Sequence, residues 1–241
     1  MNRPSFVVPA TILALGVVAA AGIGSLAVGS IKRAGDEITV TGSATRQVRS
    51  DLAVWRLDVV AQAGSQTAAT EQSRQGATAA REWLVSAGFA DSMIITRAPS
   101  TYAQEEWING SMTGRILGYR VTTQVEVRSP DVDRIAGLAA DLTPLLDRGV
   151  PAVPQAPEYL YAELPSIRGP LLADATRDAK ARAEEIVTAA GATVGRIKAV
   201  RVGVFQVRKR QSTDVSDYGM YDTSDPEKDV TGVIRVTFAI D

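Results

Sequence analysis

The apolar residues of the stretch 166–190 recur at the spacing of an amphipathic helix. They follow one another every three or four positions, which places them on one face and most charged residues on the other. Gly191 follows where a helix C-terminus favours a residue with positive φ. Because alanines form the middle of this face, we expect the helix to lie very close to a sheet. The apolar positions are Ile167, Leu171, Ala175, Ala179, Ala183, Ile186 and Ala190.

Alternating apolar and polar residues predict strands before and after this helix. Residues 38–42 and 53–61 alternate in this way, and we expect these two strands to pair antiparallel with each other. Between them and the helix at 166–190, residues 65–87 predict a further helix that ends at Gly88. The remaining predicted strands are 93–97, 118–128, 158–164, 196–208 and 231–240.

A third helix is predicted to start at Ser129-Pro130-Asp131. Serine is a favoured N-cap, proline is favoured at the first helical position, and an aspartate there complements the helix dipole. We expect this helix to weaken near Pro144. Residues 149–157 contain three prolines and predict a rigid link.

The order helix, glycine, strand, long loop and returning strand occurs in residues 65–128 and again in 166–240. Each of these segments would place a helix across an antiparallel sheet. The sequence therefore predicts an α+β fold with antiparallel sheets covered by helices and two similar α/β subdomains, preceded by one N-terminal transmembrane helix. We expect the first subdomain at 38–128 and the second at 129–241, together forming one domain.

The N-terminal segment has no charged residue between Arg3 and Lys32. About 20 apolar residues are enough to cross a bilayer as a helix, so residues 5–31 are long enough to do so. Two interpretations stay open, an uncleaved anchor over residues 1–33 and a signal peptide cleaved after the small residues at 19–21. The uncharged sequence that continues past this point favours the anchor. In both cases we expect the body on the far side of the membrane.

The composition removes several classes of chemistry. The chain has no histidine and no cysteine, which excludes thiol nucleophiles, Ser-His and Cys-His catalysis, the usual zinc sites and disulfides. Its net charge of −1 predicts no general attraction to nucleic acid. The acidic residues between 214 and 229 do not follow the EF-hand pattern. We predict no catalytic residue, no cofactor and no metal site, with a hydrolase that uses an unfamiliar Ser-Lys or carboxylate site as the alternative.

Aromatic residues lie in two long loops that we predict at 99–117 and 208–230. Aromatic residues and methionine are enriched at interfaces, so these side chains either contact another subunit or are buried by their own loop. In the N-terminal segment, small residues recur every four positions, a spacing that lets helices approach closely in lipid. The candidate oligomer contacts are Tyr102, Trp107, Tyr218 and Tyr221 in the loops and Gly16, Ala20 and Gly24 in the N-terminal segment.

Several short blocks, taken in order, carry a family pattern. They are Ile38-Thr39-Val40-Thr41-Gly42, Asp51, Tyr119, Ala175-x3-Ala179-Lys180-Ala181-x-Ala183 with Gly191, and Gly195-Arg196-Ile197. With these blocks the chain resembles, over residues 38–241, the SIMPL (DUF541) domain family of bacterial envelope proteins. It departs from the family pattern at Ala44, where a second glycine is common, and at Val194, where leucine is common. The motifs are structural, so the resemblance supplies no catalytic residue.

The resemblance implies an α+β fold, export across the inner membrane, homo-oligomerisation and a loose link to envelope stress. We therefore predict a non-enzymatic, self-assembling envelope protein, held in the bacterial inner membrane by a single N-terminal helix with its body in the periplasm. Its expected partners are further copies of itself, in a ring if the contact closes, and the lipid bilayer through residues 5–31. The alternative is a soluble periplasmic binding module, released from a cleaved signal peptide, for a small ligand or a partner protein.

Overall fold

A computed structural model describes residues 36–212 and 219–241. These residues form a mixture of helices and antiparallel sheets, as the sequence predicts. The strands are β1 (Glu37–Arg49), β2 (Leu52–Ala63), β3 (Ile94–Thr96), β4 (Ser100–Ile108), β5 (Ser111–Ser129), β6 (Ala152–Pro154), β7 (Glu158–Leu160), β8 (Val194–Val202), β9 (Gln206–Lys209) and β10 (Glu227–Ile240). The helices are α1 (Gln66–Ser86), α2 (Val132–Ala140), α3 (Thr143–Leu146) and α4 (Leu164–Ala189).

The predicted transmembrane helix at 1–33 lies outside the described residues. Within the described part of the chain, no helix is long and apolar enough to span a membrane.

The described residues divide into two compact units, and both are built from separate stretches of the chain. The small unit contains 36–44, Pro170–Gly203 and Gly232–Asp241. The large unit contains Thr45–Gly169 and Val204–Thr231. These bounds differ from those of the predicted subdomains at 38–128 and 129–241.

A six-stranded antiparallel sheet forms the centre of the large unit. Its order is β3-β5-β2-β6, with β4 also paired to β5 and β7 also paired to β2. On one face of β2 and β5 the alternate residues are buried, because apolar side chains at every second position all point the same way. These residues are Ala53, Trp55, Leu57, Val59 and Ala61 on β2 and Val121, Thr123, Val125 and Val127 on β5.

Helix α1 covers this face of the sheet. Ser65 caps its N-terminus, since the Ser65 side chain accepts a hydrogen bond from the Ala68 N–H. Gly88 ends the helix segment with a φ of 94°. Trp83 of α1 meets Trp55 of β2 edge to face, with ring centroids 6.2 Å apart. The other buried residues of the helix are Ala69, Ser73, Ala77, Ala80 and Leu84.

In the small unit, α4 lies against a second antiparallel sheet, whose order is β1-β10-β8. β9 also pairs with β10, with Lys209 opposite Lys228. The alanines at 175, 179 and 183 are fully buried and share a core with Val40 and Phe238. Gly42 of β1 is required at this contact, because a Cβ there would lie 2.2 Å from the Ala175 carbonyl oxygen. The predicted close approach of this helix to a sheet is therefore confirmed.

The predicted apolar face of α4 is wrong at its C-terminal end. Ile186 is 55% exposed and Ala190 is exposed, whereas Val187 is buried. The buried positions from residue 167 to residue 187 follow a constant spacing of four, so the face continues from Ala183 to Val187. Gly191 has a φ of 78°, as predicted.

The predicted pairing of the first two strands is wrong. β1 pairs with β10, and β2 pairs with β5, β6 and β7. Hydroxyl pairs join Thr39 to Thr237 and Thr45 to Thr231, so β1 and β10 run in opposite directions. The short turn between β1 and β2 therefore leads the chain from one sheet into the other and does not close a hairpin.

Four other segments also differ from prediction. Residues 99–117 form β4 and the start of β5 rather than a loop, and the link at 149–157 contains strand β6. The predicted strand at 196–208 is divided into β8 and β9. The N-cap of α2 is Asp131 rather than Ser129, since the Asp131 carboxylate accepts a hydrogen bond from the Arg134 N–H.

Candidate functional site

The two-stranded ribbon at 100–118, which we call the hairpin ribbon, exposes six large apolar side chains of the large unit. It consists of β4 and the start of β5, joined by Asn109 and Gly110. Both turn residues have positive φ, 50° and 81°, as the tight turns of β-hairpins require. β2 pairs with β5 only from Tyr119 onward, so β5 within the ribbon has β4 as its one strand neighbour among the described residues.

Both faces of the hairpin ribbon expose large apolar side chains. Trp107 and Ile108 are consecutive residues of β4, and Ile116 and Leu117 are consecutive residues of β5. Consecutive side chains of a strand point to opposite faces, yet all four are about half exposed or more. Neither face of the ribbon is therefore packed on the body of the unit at these positions.

The hairpin ribbon also carries charges of both signs. Glu105 and Glu106 lie on β4, Arg115 lies on β5, and Arg120 follows on β5 just beyond the ribbon. Glu106 accepts a hydrogen bond from the Thr113 hydroxyl at 2.9 Å and forms an ion pair with Arg115 at 3.5 Å. The surface therefore combines apolar area with acidic groups on one strand and basic groups on the other.

The structure brings two of the predicted contact residues together on this ribbon. Tyr102 is 69% exposed and Trp107 is 62% exposed. Tyr221 lies elsewhere, and its hydroxyl accepts a hydrogen bond from the Tyr161 N–H at 2.7 Å. The candidates Tyr218, Gly16, Ala20 and Gly24 lie outside the described residues.

Four exposed apolar residues of the ribbon were not among the predicted contacts: Ile108, Met112, Ile116 and Leu117. A local signal for the hairpin is present in the sequence. Asn109-Gly110 is the dipeptide favoured at the turn of a two-residue hairpin, and strand-forming residues flank it.

Glu126 of β5 is the centre of a charge cluster on the polar side of the sheet. Its side chain is fully buried, and it accepts hydrogen bonds from Arg56 at 3.0 Å, Arg97 at 2.8 Å and Arg128 at 2.6 Å. Arg56 also binds Glu158 at 2.7 Å. Burial raises the pKa of Glu126, but the arginine hydrogen bonds outweigh it and lower the pKa to about 2. Since both carboxylate oxygens are occupied, the cluster links strands rather than offering a free acid.

Lys228 of β10 is also fully buried, and its ammonium holds the chain that precedes it. Its Nζ donates to the carbonyl oxygens of Asp222 at 2.6 Å and Asp225 at 2.7 Å. Burial lowers the pKa of Lys228, and the two nearby aspartates act in the opposite direction. The contacts identify it as a structural residue of the 222–228 turn.

The residues of the family pattern have structural roles. Asp51 accepts hydrogen bonds from the N–H groups of Ala162 at 2.7 Å and Glu163 at 3.1 Å, at the residues that lead into α4. Gly42 and the buried alanines make the close contact between α4 and its sheet. Among the residues that the structure describes, no group of three or more Asp or Glu side chains could hold a metal ion.

Comparison with known families gives one match. A family model described as SIMPL, protein of unknown function (DUF541), matches residues 38–238. This range covers nearly all of the part of the chain that the structure describes. No curated protein matches the chain.

Proposed function

The chain belongs to the SIMPL (DUF541) family, and from this premise we propose a non-enzymatic, self-assembling protein of the bacterial cell envelope. In this proposal the N-terminal segment anchors the protein in the inner membrane as a single-pass helix, and the body lies in the periplasm. The protein assembles with copies of itself and contributes to the response to envelope stress.

The hairpin ribbon is the observation that carries the proposal of self-assembly. Exposed apolar area rimmed by polar groups is typical of protein interfaces, and aromatic residues and methionine are enriched there. Trp107 and Met112 face each other across the two strands, close to the turn. The outer edge of β4 has no strand neighbour among the described residues, so its backbone groups are open to pairing.

The charges of the ribbon favour a second copy of the chain as the partner. The acidic pair Glu105 and Glu106 lies on one strand, and Arg115 lies on the other, with Arg120 on that same strand just beyond the ribbon. Two copies of such a ribbon are complementary in charge. In a suitable register, the acidic strand of one copy faces the basic strand of the other copy. A head-to-tail contact of this type closes into a ring if its rotation permits.

The membrane part of the proposal rests on the N-terminal sequence. Residues 4–31 contain no charged residue, and about 20 apolar residues suffice for a transmembrane helix. The small residues at 19–21 support the alternative, a soluble periplasmic binding module released from a signal peptide. The mass of the mature chain separates the two, since cleavage after Ala21 would remove the anchor.

Light scattering on the full-length, detergent-extracted protein tests self-assembly. We expect a mass several times that of one chain for the unaltered protein, and a loss of mass when Trp107→Thr and Ile116→Thr are combined. Threonine keeps the strand propensity while removing the apolar area. The matched control is Ile95→Thr, since Ile95 is 44% exposed on β3, outside the ribbon.

Two results would contradict the proposal. The first is an unaltered protein that is monomeric at every concentration measured. The second is an oligomer that keeps its full mass in the ribbon variant, which would assign assembly to another surface.

A further inference from the structure

The sheet of the small unit has a polar face on the side away from α4. Val236 and Phe238 of β10 are buried in the core that α4 shares, so Arg235 and Thr237, which alternate with them, point the other way. The Thr237 hydroxyl pairs with that of Thr39 on β1 at 2.8 Å, which places Thr39 on the same side. We call the surface formed by Thr39, Arg201, Arg235 and Thr237 the outer face.

Two arginines lie directly opposite each other on the outer face. Arg201 of β8 and Arg235 of β10 are partners in the antiparallel pair, so their side chains share one side of the sheet. Both are exposed, and within residues 36–212 and 219–241 neither forms an ion pair with a carboxylate. Like charges at directly opposite positions are destabilising. An anion held by both guanidinium groups would remove this repulsion.

The arginine pair lines two depressions of the outer face, with volumes of about 540 Å³ and about 240 Å³. Lys198 adds a third cation to the larger depression, where its Nζ atom lies 3.4 Å from the carboxylate of Glu37. Among the described residues, Glu37 is the one carboxylate that lines either depression. The three cations therefore exceed the acidic groups by two charges.

The exposed side of α4, on the opposite surface of the small unit, has paired charges instead. Its ion pairs are Arg177–Asp174, Lys180–Glu184 at 3.5 Å and Arg182–Asp178 at 2.9 Å. Each of these three cations has a carboxylate partner on the same helix. The unbalanced positive charge of the small unit therefore lies on the outer face.

The outer face lies close to the point where the N-terminal segment joins the body. The Asp36 carbonyl accepts a hydrogen bond from the Ile240 N–H at 3.1 Å, at the end of β10. Residues 32–36 separate the apolar run 5–31 from β1, and a link of this length spans at most about 17 Å. Arg235 lies about 17 Å further along β10. With the run 5–31 in the bilayer, the arginine pair is therefore within about 34 Å of the membrane surface.

From this charge and this position we propose that the outer face binds the anionic headgroups of the bilayer in which the protein is anchored. The inference rests on the membrane anchor of the proposed function. Arg201 and Arg235 donate hydrogen bonds to the phosphate oxygens of the lipids, a geometry that suits the planar guanidinium group. Lys198 adds its charge beside them, and the threonine hydroxyls donate further hydrogen bonds.

The exposure of the arginine pair favours a layer of headgroups over a single dissolved anion. Water competes for a free phosphate at an exposed site, so such an ion would bind weakly there. The lipid phosphates are kept near the outer face by the anchor, and their effective concentration is high for this reason. Basic residues close to an anionic membrane surface strengthen binding about fivefold each. The outer face contains no residue of the hairpin ribbon.

A fluorescent label on the outer face tests the proposal in the full-length protein. The chain has no cysteine, so one introduced cysteine carries a bimane label at a single position. Ser43→Cys is suitable, because Ser43 is exposed on β1 two residues after Thr41 and lines neither depression. The protein is placed in lipid nanodiscs, and quenching by nitroxide on the lipid headgroups reports contact with the bilayer. The control label is Ala181→Cys on the exposed side of α4.

We expect quenching at position 43 to be stronger in discs of equal parts phosphatidylglycerol and phosphatidylcholine than in discs of phosphatidylcholine alone. High salt should remove the difference. Arg201→Gln combined with Arg235→Gln should lower the ratio of lipid-bound to free outer face about thirtyfold. Arg201→Lys combined with Arg235→Lys keeps both charges and should keep the contact. The matched control, Arg177→Gln with Arg182→Gln, removes two exposed arginines of α4 and should leave the quenching unchanged.

Three results would overturn the proposal. They are equal quenching at position 43 in neutral and anionic discs, a loss of quenching that the α4 control variant reproduces, and inhibition by inorganic phosphate at constant ionic strength that equals the effect of the double glutamine variant. The last result would assign the outer face to a small anion.

The membrane anchor is measured separately, by size exclusion of the protein with neutral discs in high salt. Release of the protein from these discs would contradict the proposed anchor and this inference together. Retention of the protein without lipid-dependent quenching at position 43 would overturn this inference alone.

Discussion

Replacement of Glu126 by glutamine is the most informative perturbation of the large unit. The glutamine keeps the shape of the side chain but removes the charge that three arginines share. We expect the variant to fold and to be less stable, because Arg56, Arg97 and Arg128 would then repel one another beside a neutral partner.

The expected loss follows from the pKa of Glu126. Its value falls from an ordinary 4.5 to about 2 in the folded protein, and one pKa unit corresponds to about 1.4 kcal/mol. The full shift would give about 3 kcal/mol, but the arginines are partly exposed and solvent weakens their attraction. With the added repulsion among the arginines, we expect Glu126→Gln to lower the free energy of unfolding by about 2–4 kcal/mol at neutral pH.

The pH dependence has a definite sign. The folded-state pKa of Glu126 is lower than its unfolded value, so its stabilisation is fully present above the unfolded value and is lost as the pH falls towards the folded value. The difference in stability between the unaltered protein and the variant should stay constant from neutral pH to about pH 5. It should then shrink between about 4.5 and about 2.

Urea unfolding followed by tryptophan fluorescence measures this difference. Trp55 and Trp83 are buried in contact within the same unit, so their emission reports its unfolding. The matched control is Glu82→Gln, at an exposed position of α1, where we expect a change within about 0.5 kcal/mol. A Glu126→Gln loss as small as that of the control, or a difference that stays unchanged down to about pH 3, would refute the reasoning.

Three other substitutions test the packing of the chain by thermal unfolding followed by circular dichroism. Ala179→Leu should overpack the contact between α4 and its sheet and cost about 1–3 kcal/mol, whereas Ala181→Leu at an exposed position should be nearly neutral; equal effects would mean that the buried face is misplaced. Gly42→Ala should destabilise the protein at least as much as Ala179→Leu, because the added Cβ would lie 2.2 Å from the backbone of α4. An unchanged midpoint of thermal unfolding would argue against that contact. Lys228→Met should cost about 1–3 kcal/mol by leaving two carbonyl groups without their donor, while Lys209→Met on the paired strand should have little effect; similar losses at both lysines would contradict the structural role of Lys228.

Local patterns of apolar and polar residues were enough to predict most of the helices and strands of this chain. The spacing of alanines predicted helix α4 and its close packing, because a helical period places such residues on one face whatever lies opposite. The sequence pattern alone does not show whether Ile186 or Val187 is the buried residue at the C-terminal end of that face. Both spacings, three and four, fit a helix, and only the sheet beneath α4 decides which residue it covers.

The partners of the strands were decided by the tertiary structure. The alternation of residues 38–42 identifies a strand but carries no information about its neighbour, since pairing joins residues far apart in the chain. Thr39 meets Thr237, from the other end of the sequence. The sequence-based expectation of a hairpin between β1 and β2 followed proximity in the chain, and the structure places the two strands in different sheets.

The hairpin ribbon shows the same division. The aromatic residues of the hairpin ribbon are visible in the sequence, and they alone led to the prediction of Tyr102 and Trp107 as contacts. That the ribbon leaves both faces exposed depends on where β2 stops pairing with β5.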